Sequence, residues 1–180
     1  MKRSLASLLA LLLAAGLARA TTVRPASIAQ LTRRATLIVE VRAQDSWALW
    51  NPEHTLISTY TKFQVVKTLK GEAAQQIVVK QPGGEVFPYA QRIPGVRPFQ
   101  PGKDTLLFLR PSPSGDGTLV VVDLNQGNFQ LYRAPGGAIV TSNAVAGVEE
   151  IHHDGSLHGF QATNLPLEEM EERIREALNP

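Results

Sequence analysis

The stretch Ile57-Ser58-Thr59-Tyr60-Thr61-Lys62-Phe63-Gln64-Val65-Val66-Lys67-Thr68-Leu69-Lys70 alternates for most of its length. Ile57, Thr59, Thr61, Phe63, Val65 and Leu69 mark one face, Ser58, Tyr60, Lys62, Gln64 and Thr68 the other, and Lys70-Gly71 ends the run. Such period-two patterning predicts a half-buried strand. A strand of about 14 residues far exceeds the usual five or six and has to bend, so that it serves two sides of one barrel.

Working outward, Leu37, Val39, Val41 and Ala43 alternate with Thr36, Ile38, Glu40 and Arg42, which predicts a preceding strand whose odd positions face a core. Gln44 to Thr55, with Asn51-Pro52 inside it, reads as the connecting loop. Ile77-Val78-Val79-Lys80 is a third strand, and Thr105-Leu106-Leu107-Phe108-Leu109 is an apolar run of strand length, covered on both faces. Leu119 to Asp123, Gly127 to Arg133 and Ala138 to Thr141 complete the strand candidates. Between the third and fourth strands, residues 81–102 carry Pro82, Pro88, Pro94, Pro98 and Pro101 with Gly83-Gly84 and Gly95, which excludes a central strand or a helix interior.

The flanks are helical. Ser27 can cap a short helix with Ile28, Leu31 and Ala35 at helical spacing. At the other end, Leu167, Met170, Ile174 and Ala177 or Leu178 form one apolar stripe, with Pro166 in the first turn. Together these features predict a mainly β chain: a small closed or partly open OB-like β-barrel with a short N-terminal helix and a C-terminal amphipathic helix, a β-sandwich being the alternative. The expected division is 1–20 a signal peptide, 21–34 a segment with the short helix, 35–145 the barrel, 146–164 a polar histidine-containing loop or hairpin, and 165–180 the terminal helix.

Composition bounds the function. The 180 residues are 43% apolar and 19% charged, neither disordered nor membrane-spanning in bulk. Met1-Lys2-Arg3, the apolar run from Leu5 to Leu17 and Ala18-Arg19-Ala20 follow the order of a secretory signal, whose run of about 13 residues falls short of the roughly 20 that span a bilayer. Cleavage after Ala20 is expected, with no transmembrane anchor remaining and a periplasmic or secreted destination. Lys2, Arg3 and Arg19 leave with that segment, so the 18 basic and 16 acidic residues become 15 and 16. The basic sequence pI of about 9.1 therefore belongs to the signal, and nucleic acid is not an expected partner. The chain has no cysteine, which removes disulfides, thiol catalysis and cysteine zinc sites.

The succession of the helix into Arg34-Ala35-Thr36-Leu37-Ile38-Val39, then Phe63 to Gly71, Ile77-Val78-Val79 and Phe99 to Leu109 resembles a group of uncharacterised bacterial exported proteins. It is also distantly similar to the netrin-like module of tissue inhibitors of metalloproteinases, five-stranded OB-type barrels. The similarity runs from about Ala35 to Leu109 and implies a barrel. Those inhibitors reach a protease zinc through an N-terminal cysteine, whereas Thr21 would stand first here, so a protease-inhibitor role follows by fold analogy only and no inhibitory residue carries over.

Candidate site chemistry is sparse. Trp47 and Trp50, in the expected loop, can offer a stacking platform for sugar rings, bases or peptide side chains, with Tyr89 of the proline-rich segment as a third aromatic contact. Alternatively, either tryptophan plugs the barrel end. His152, His153 and His158 flank Asp154-Gly155; a two-residue turn there would pair His153 with Ser156 and Ile151 with His158, and could hold zinc or copper with Asp154 or Glu150. Glu149 and Glu150 read as solvated charge, Ser112 and Ser114 as turn residues, and Gln81-Pro82-Gly83-Gly84 as a turn rather than a phosphate loop. The leading expectation is an exported non-enzymatic binding module for a protein or envelope component, with no cofactor. A metal-binding protein is the alternative from a different class.

Overall fold

The computed structural model describes residues 21–152 and 154–179; the expected signal peptide, residues 1–20, and His153 lie outside them. The chain is mainly β. In order it forms β1 (Thr21–Val23), a helix (Ile28–Arg34), β2 (Leu37–Trp50), β3 (Ile57–Lys70), β4 (Gln76–Pro82), β5 (Gly84–Val86), β6 (Tyr89–Gln91) and β7 (Asp104–Pro111). There follow β8 (Leu119–Val121), β9 (Asn128–Arg133), β10 (Ile139–Ser142), β11 (Val148–Ile151), β12 (Leu157–Gly159), β13 (Asn164–Pro166) and a terminal helix (Leu167–Leu178).

The principal sheet runs β13-β10-β9-β7-β2-β3-β4-β8, and β7 also pairs with β8. β7 is hydrogen-bonded to β2 along one edge, while its other edge is divided between β9, opposite Thr105 to Leu107, and β8, opposite Leu109 to Pro111. The sheet thereby curls back on itself. Closure is partial, because β4 meets β8 at the single parallel pair Val79 and Leu119. Separately, β1 pairs with β11 and β12, and β5 with β6.

Two cores lie on opposite sides of β7. Leu107 and Leu109 pack inside the curled sheet with Leu37, Val39, Val41, Ala43, Phe63 and Val79. Leu106 and Phe108 point the other way, into a layer built with Ile28, Leu31, Ile38, Phe129, Met170 and Ile174, so both helices cover the outer surface. Each of these fully buried Leu, Ile or Phe side chains is worth roughly 1.5–3 kcal/mol relative to exposure.

The long strands hold their curvature through bulges. β2 and β3 break register at Ile38/Val39, Glu40/Val41 and Ala43/Asp45. An extra residue in one strand reverses which alternate side chains face inward. Val66 and Leu69 are the extra residues in β3: Val66 is exposed, and Leu69 packs against the helical layer rather than on the Phe63 face expected from its parity. At Gln44 the extra residue lies in β2, where the inward row passes from Ala43 to Ser46, Ala48 and Trp50, opposite Thr61, Thr59 and Ile57.

Several expectations need correction. Residues 44–50 are strand, not loop; the turn is confined to 51–56, where Asn51 Oδ1 accepts from the backbone of Thr55 and Leu56. Segment 21–34 contains β1 as well as its helix. The proline-rich stretch holds the β5–β6 hairpin. The sheet extends past residue 145 to β13, and Pro166 stands at the N-cap position of the terminal helix, without a capping hydrogen bond, instead of in its first turn.

The first helix begins with Ser27 and Gln30 capping each other, as the sequence suggested for Ser27, and ends where Lys70 Nζ donates to the carbonyls of Thr32 at 2.7 Å and Ala35 at 2.5 Å. A lysine at a helix C-terminus opposes the dipole and satisfies orphan carbonyls. The terminal helix docks through an acidic pair. Lys67 Nζ lies 2.6 Å from Glu171 Oε1 and 3.8 Å from Glu40 Oε1, and Glu40 Oε1 is enclosed without a hydrogen-bond partner. Burial, aided by the neighbouring Glu171 carboxyl, pushes Glu40 up to about 7. Burial also opposes ionisation of Glu171, but the Lys67 ammonium and the protonated Glu40 hold it below its ordinary range.

A carboxyl whose pKa is raised on folding stabilises below its unfolded pKa and loses that contribution as pH rises through the folded value. The wild type should therefore lose stability between about pH 4.5 and pH 7 relative to Glu40→Gln, by on the order of 1–3 kcal/mol. Thermal unfolding at pH 5 and pH 8 checks this, with the variant expected to gain on the wild type only at the higher pH.

Candidate functional site

The inward row of the curled sheet becomes polar toward one end. Phe63 and Val79 give way to Thr61, whose hydroxyl lies 2.8 Å from that of Ser46, and then to Thr59 and Gln81, which face each other across β3 and β4. Gln81 continues the inward positions of Ile77 and Val79, which places a carboxamide where the apolar interior opens. Above it the chain makes two structures. The β5–β6 hairpin folds over the ends of β2 and β3, and residues 92–98 return as a strap toward β7.

The hairpin is seated by close backbone approach. Thr59 Oγ1 donates to Gly83 O at 2.7 Å, and Gln91 Oε1 accepts from Ile57 N at 2.8 Å. Gly84 has φ +142, and a Cβ there would lie 2.4 Å from Thr59 Oγ1 and 3.1 Å from Ala48 Cβ. Only glycine fits. The strap is pinned by Arg97, whose guanidinium donates to Asn128 O at 2.7 Å, Asn128 Oδ1 at 3.1 Å and Ala144 O at 3.0 Å. Burial pulls the Arg97 pKa down. Gln81 Nε2 donates to Arg97 O at 3.2 Å, and Thr21 Oγ1 to Pro94 O at 2.8 Å.

Between hairpin and strap lies a cavity of about 650 Å³, walled by Thr59, Gln81, the 82–85 turn, Gln91 to Val96, Pro98 and Ala146. That is within the usual range of ligand sites, roughly 300–1,000 Å³. Its surface is mostly proline, glycine and aliphatic carbon with two carboxamides set into it.

The expected aromatic residues stand around this cavity without lining it. Three residues apart in one strand, Trp47 and Trp50 lie on opposite faces of β2, and the Gln44 bulge turns Trp50 inward, so they do not share a platform. Trp47 stacks on Tyr60, centroids 5.8 Å apart and planes 11° apart, on the outer face, where Lys80 Nζ lies 5.5 Å from the centre of the Tyr60 ring. Trp50 meets Tyr89 edge-on at 5.6 Å and His54 at 5.9 Å. Trp50 and Tyr89 thus buttress the hairpin, and Phe87 at its tip is 97% exposed.

The histidine segment closes one residue differently from the two-residue turn. His152 N donates to Ser156 O and Gly155 N to His152 O, so Ile151 pairs with Leu157 and Glu150 with His158. His152 and His158 meet edge-on at 4.9 Å, His158 Nε2 lies 3.1 Å from Ser156 Oγ, and His152 Nε2 lies 3.8 Å from Glu150 Oε2. Among the described residues no group of three or more His, Cys, Asp or Glu side chains is arranged to hold a metal ion. The expected place of His153 in that cluster lies outside the described residues. Glu150 is buried rather than solvated, and its Oε1 accepts from Gln161 N at 3.2 Å. Ser112 and Ser114 bond to each other at 2.6 Å within a turn closed by Asp116.

No family model matches the chain, and no curated protein matches it.

Sequence reasoning missed Gln81, Gln91 and Arg97. A signal existed for Gln81, a polar residue in phase with an inward apolar row; Gln91 and Arg97 lie among prolines with no period to read. Replacing Gly84 by alanine should lift the hairpin from β2 and β3, costing about 2 kcal/mol or more. The checks are a lowered Tm and a red-shifted tryptophan emission as Trp50 loses Tyr89.

Proposed function

We propose that the chain is an exported, non-catalytic binding module on an OB-type barrel, and that the cavity over the barrel mouth receives part of a protein or envelope partner. The strand order supports the barrel reading. Taken in chain order, β2, β3, β4, β7 and β8 pair first to second, second to third, third to fifth in parallel, fifth to fourth and fourth to first. Five strands in that cycle are the pattern of an OB barrel, a fold that commonly binds ligands at one face and its loops.

The observation that carries the binding reading is the built cavity. Hairpin and strap are each fixed by side chain to backbone bonds, so the space between them is held open before any ligand arrives, which reduces the ordering cost of binding. Its lining of carboxamides, prolines and glycines suits recognition. Export is supported by the Met1-Lys2-Arg3 start, the Leu5 to Leu17 run and the Ala18-Arg19-Ala20 ending. No helix among the described residues is long and apolar enough to cross a membrane.

Ala146 is exposed and lines the cavity, so Ala146→Trp fills the space without disturbing the strap. Capture of partners from an envelope extract by the wild type, lost in Ala146→Trp at unchanged Tm, is the expected result. A partner set indifferent to that substitution would overturn the docking role of the cavity.

A further inference from the structure

The two glutamines of the cavity wall are half used, and which half is fixed in each. Gln81 spends its Nε2 on Arg97 O, so its Oε1 is the remaining acceptor. Gln91 spends its Oε1 on Ile57 N, so its Nε2 is the remaining donor. Neither remaining atom has a hydrogen-bond partner among the described residues, and neither is among the fully enclosed polar atoms, so both are open to a ligand. Gln81 is only 7% exposed overall and is a wall residue, so its free oxygen opens into the cavity. A nine-tenths-buried carboxamide with an open acceptor favours a ligand that supplies a donor, since filling the cavity without one would strand it.

One acceptor and one donor, both neutral and both rigidly held, complement a peptide unit, which carries one N–H and one C=O. The rest of the wall agrees. Ile93, Pro94, Val96 and Pro98 offer aliphatic surface for an apolar side chain, and among the described residues no aromatic face lines the cavity on which a sugar ring or base could stack. Among the described lining residues charge is confined to Glu85 and Arg92, both exposed.

We propose that the cavity takes a short extended segment of uncharged polypeptide, one backbone N–H donating to Gln81 Oε1 and a neighbouring carbonyl accepting from Gln91 Nε2. This rests on the docking role proposed for the same cavity and names the chemistry of its occupant. The specificity is for main chain with one aliphatic side chain, not for a charged motif.

The test uses the protein from Thr21 onward and an acetylated, amidated tetrapeptide of valine and alanine, titrated by calorimetry. Saturable binding is expected. Methylating the central amide nitrogen of the probe should weaken it about 10-fold, since one hydrogen bond is lost and an acceptor is left bare. This deletion is made in the ligand, so no folding defect can mimic it. Gln91→Met should weaken the unmethylated probe similarly, and Trp47→Ala, on the opposite face of β2, should leave it unchanged. Absence of binding at millimolar peptide, equal binding of the methylated probe, or preference for an oligosaccharide of N-acetylglucosamine would each overturn the proposal. Should Ala146→Trp abolish partner capture while the peptide fails to bind, the docking role stands and the peptide assignment alone falls.

Discussion

Everything in this fold is arranged around a strand with no face for water. From Thr105 to Leu109 strand β7 is buried on both sides, and a two-sided apolar strand is stable only when separate layers cover each of its faces. The curled sheet supplies one cover and the two helices the other. Because Leu106 and Phe108 belong to one core and Leu107 and Leu109 to the other, neither core survives loss of this strand. The two layers are a single cooperative unit although they share no side chain.

That central fact was legible in the sequence, since four consecutive apolar residues, Leu106 to Leu109, bounded by Asp104-Thr105 and Arg110 admit few other readings. The alternation of β3 and the capped first helix were equally plain, because each rests on local periodicity or a local hydrogen bond. What local reasoning lost was phase. Past Ala43 the apolar odd row of β2 is broken by Asp45, within the polar run Gln44-Asp45-Ser46, and the natural inference is that the strand has ended. The structure keeps the strand and changes the phase with one extra residue, after which even positions point inward. A bulge leaves no residue-type signature, so Trp47 and Trp50 were read as loop neighbours when they occupy opposite surfaces.

The candidate site was less legible for a related reason. Its walls are set by where a hairpin and a strap come to rest, which depends on contacts as distant in sequence as Thr21 with Pro94 and Arg97 with Ala144. Proline and glycine announced that residues 81–102 would not continue the sheet, and that was correct for the long strands. They said nothing about two carboxamides, 10 positions apart in sequence, each committing one end to the backbone and offering the other. Aromatic and histidine residues attracted the functional reading because their chemistry is conspicuous, while the cavity is built from residues whose chemistry is quiet.

The extra residue at Gln44 also decides what kind of genetic change this hairpin tolerates. Substitutions there alter one exposed side chain and leave the pairing of β2 with β3 unchanged. Deleting the residue would remove the phase change, carrying Trp50 and Ala48 to the outer surface and Trp47 and Leu49 into the space beneath the β5–β6 hairpin, where Gly84 leaves no room for a ring. In an alignment of variants, therefore, the length between Ala43 and Trp50 should be held far more strictly than the identity of residue 44.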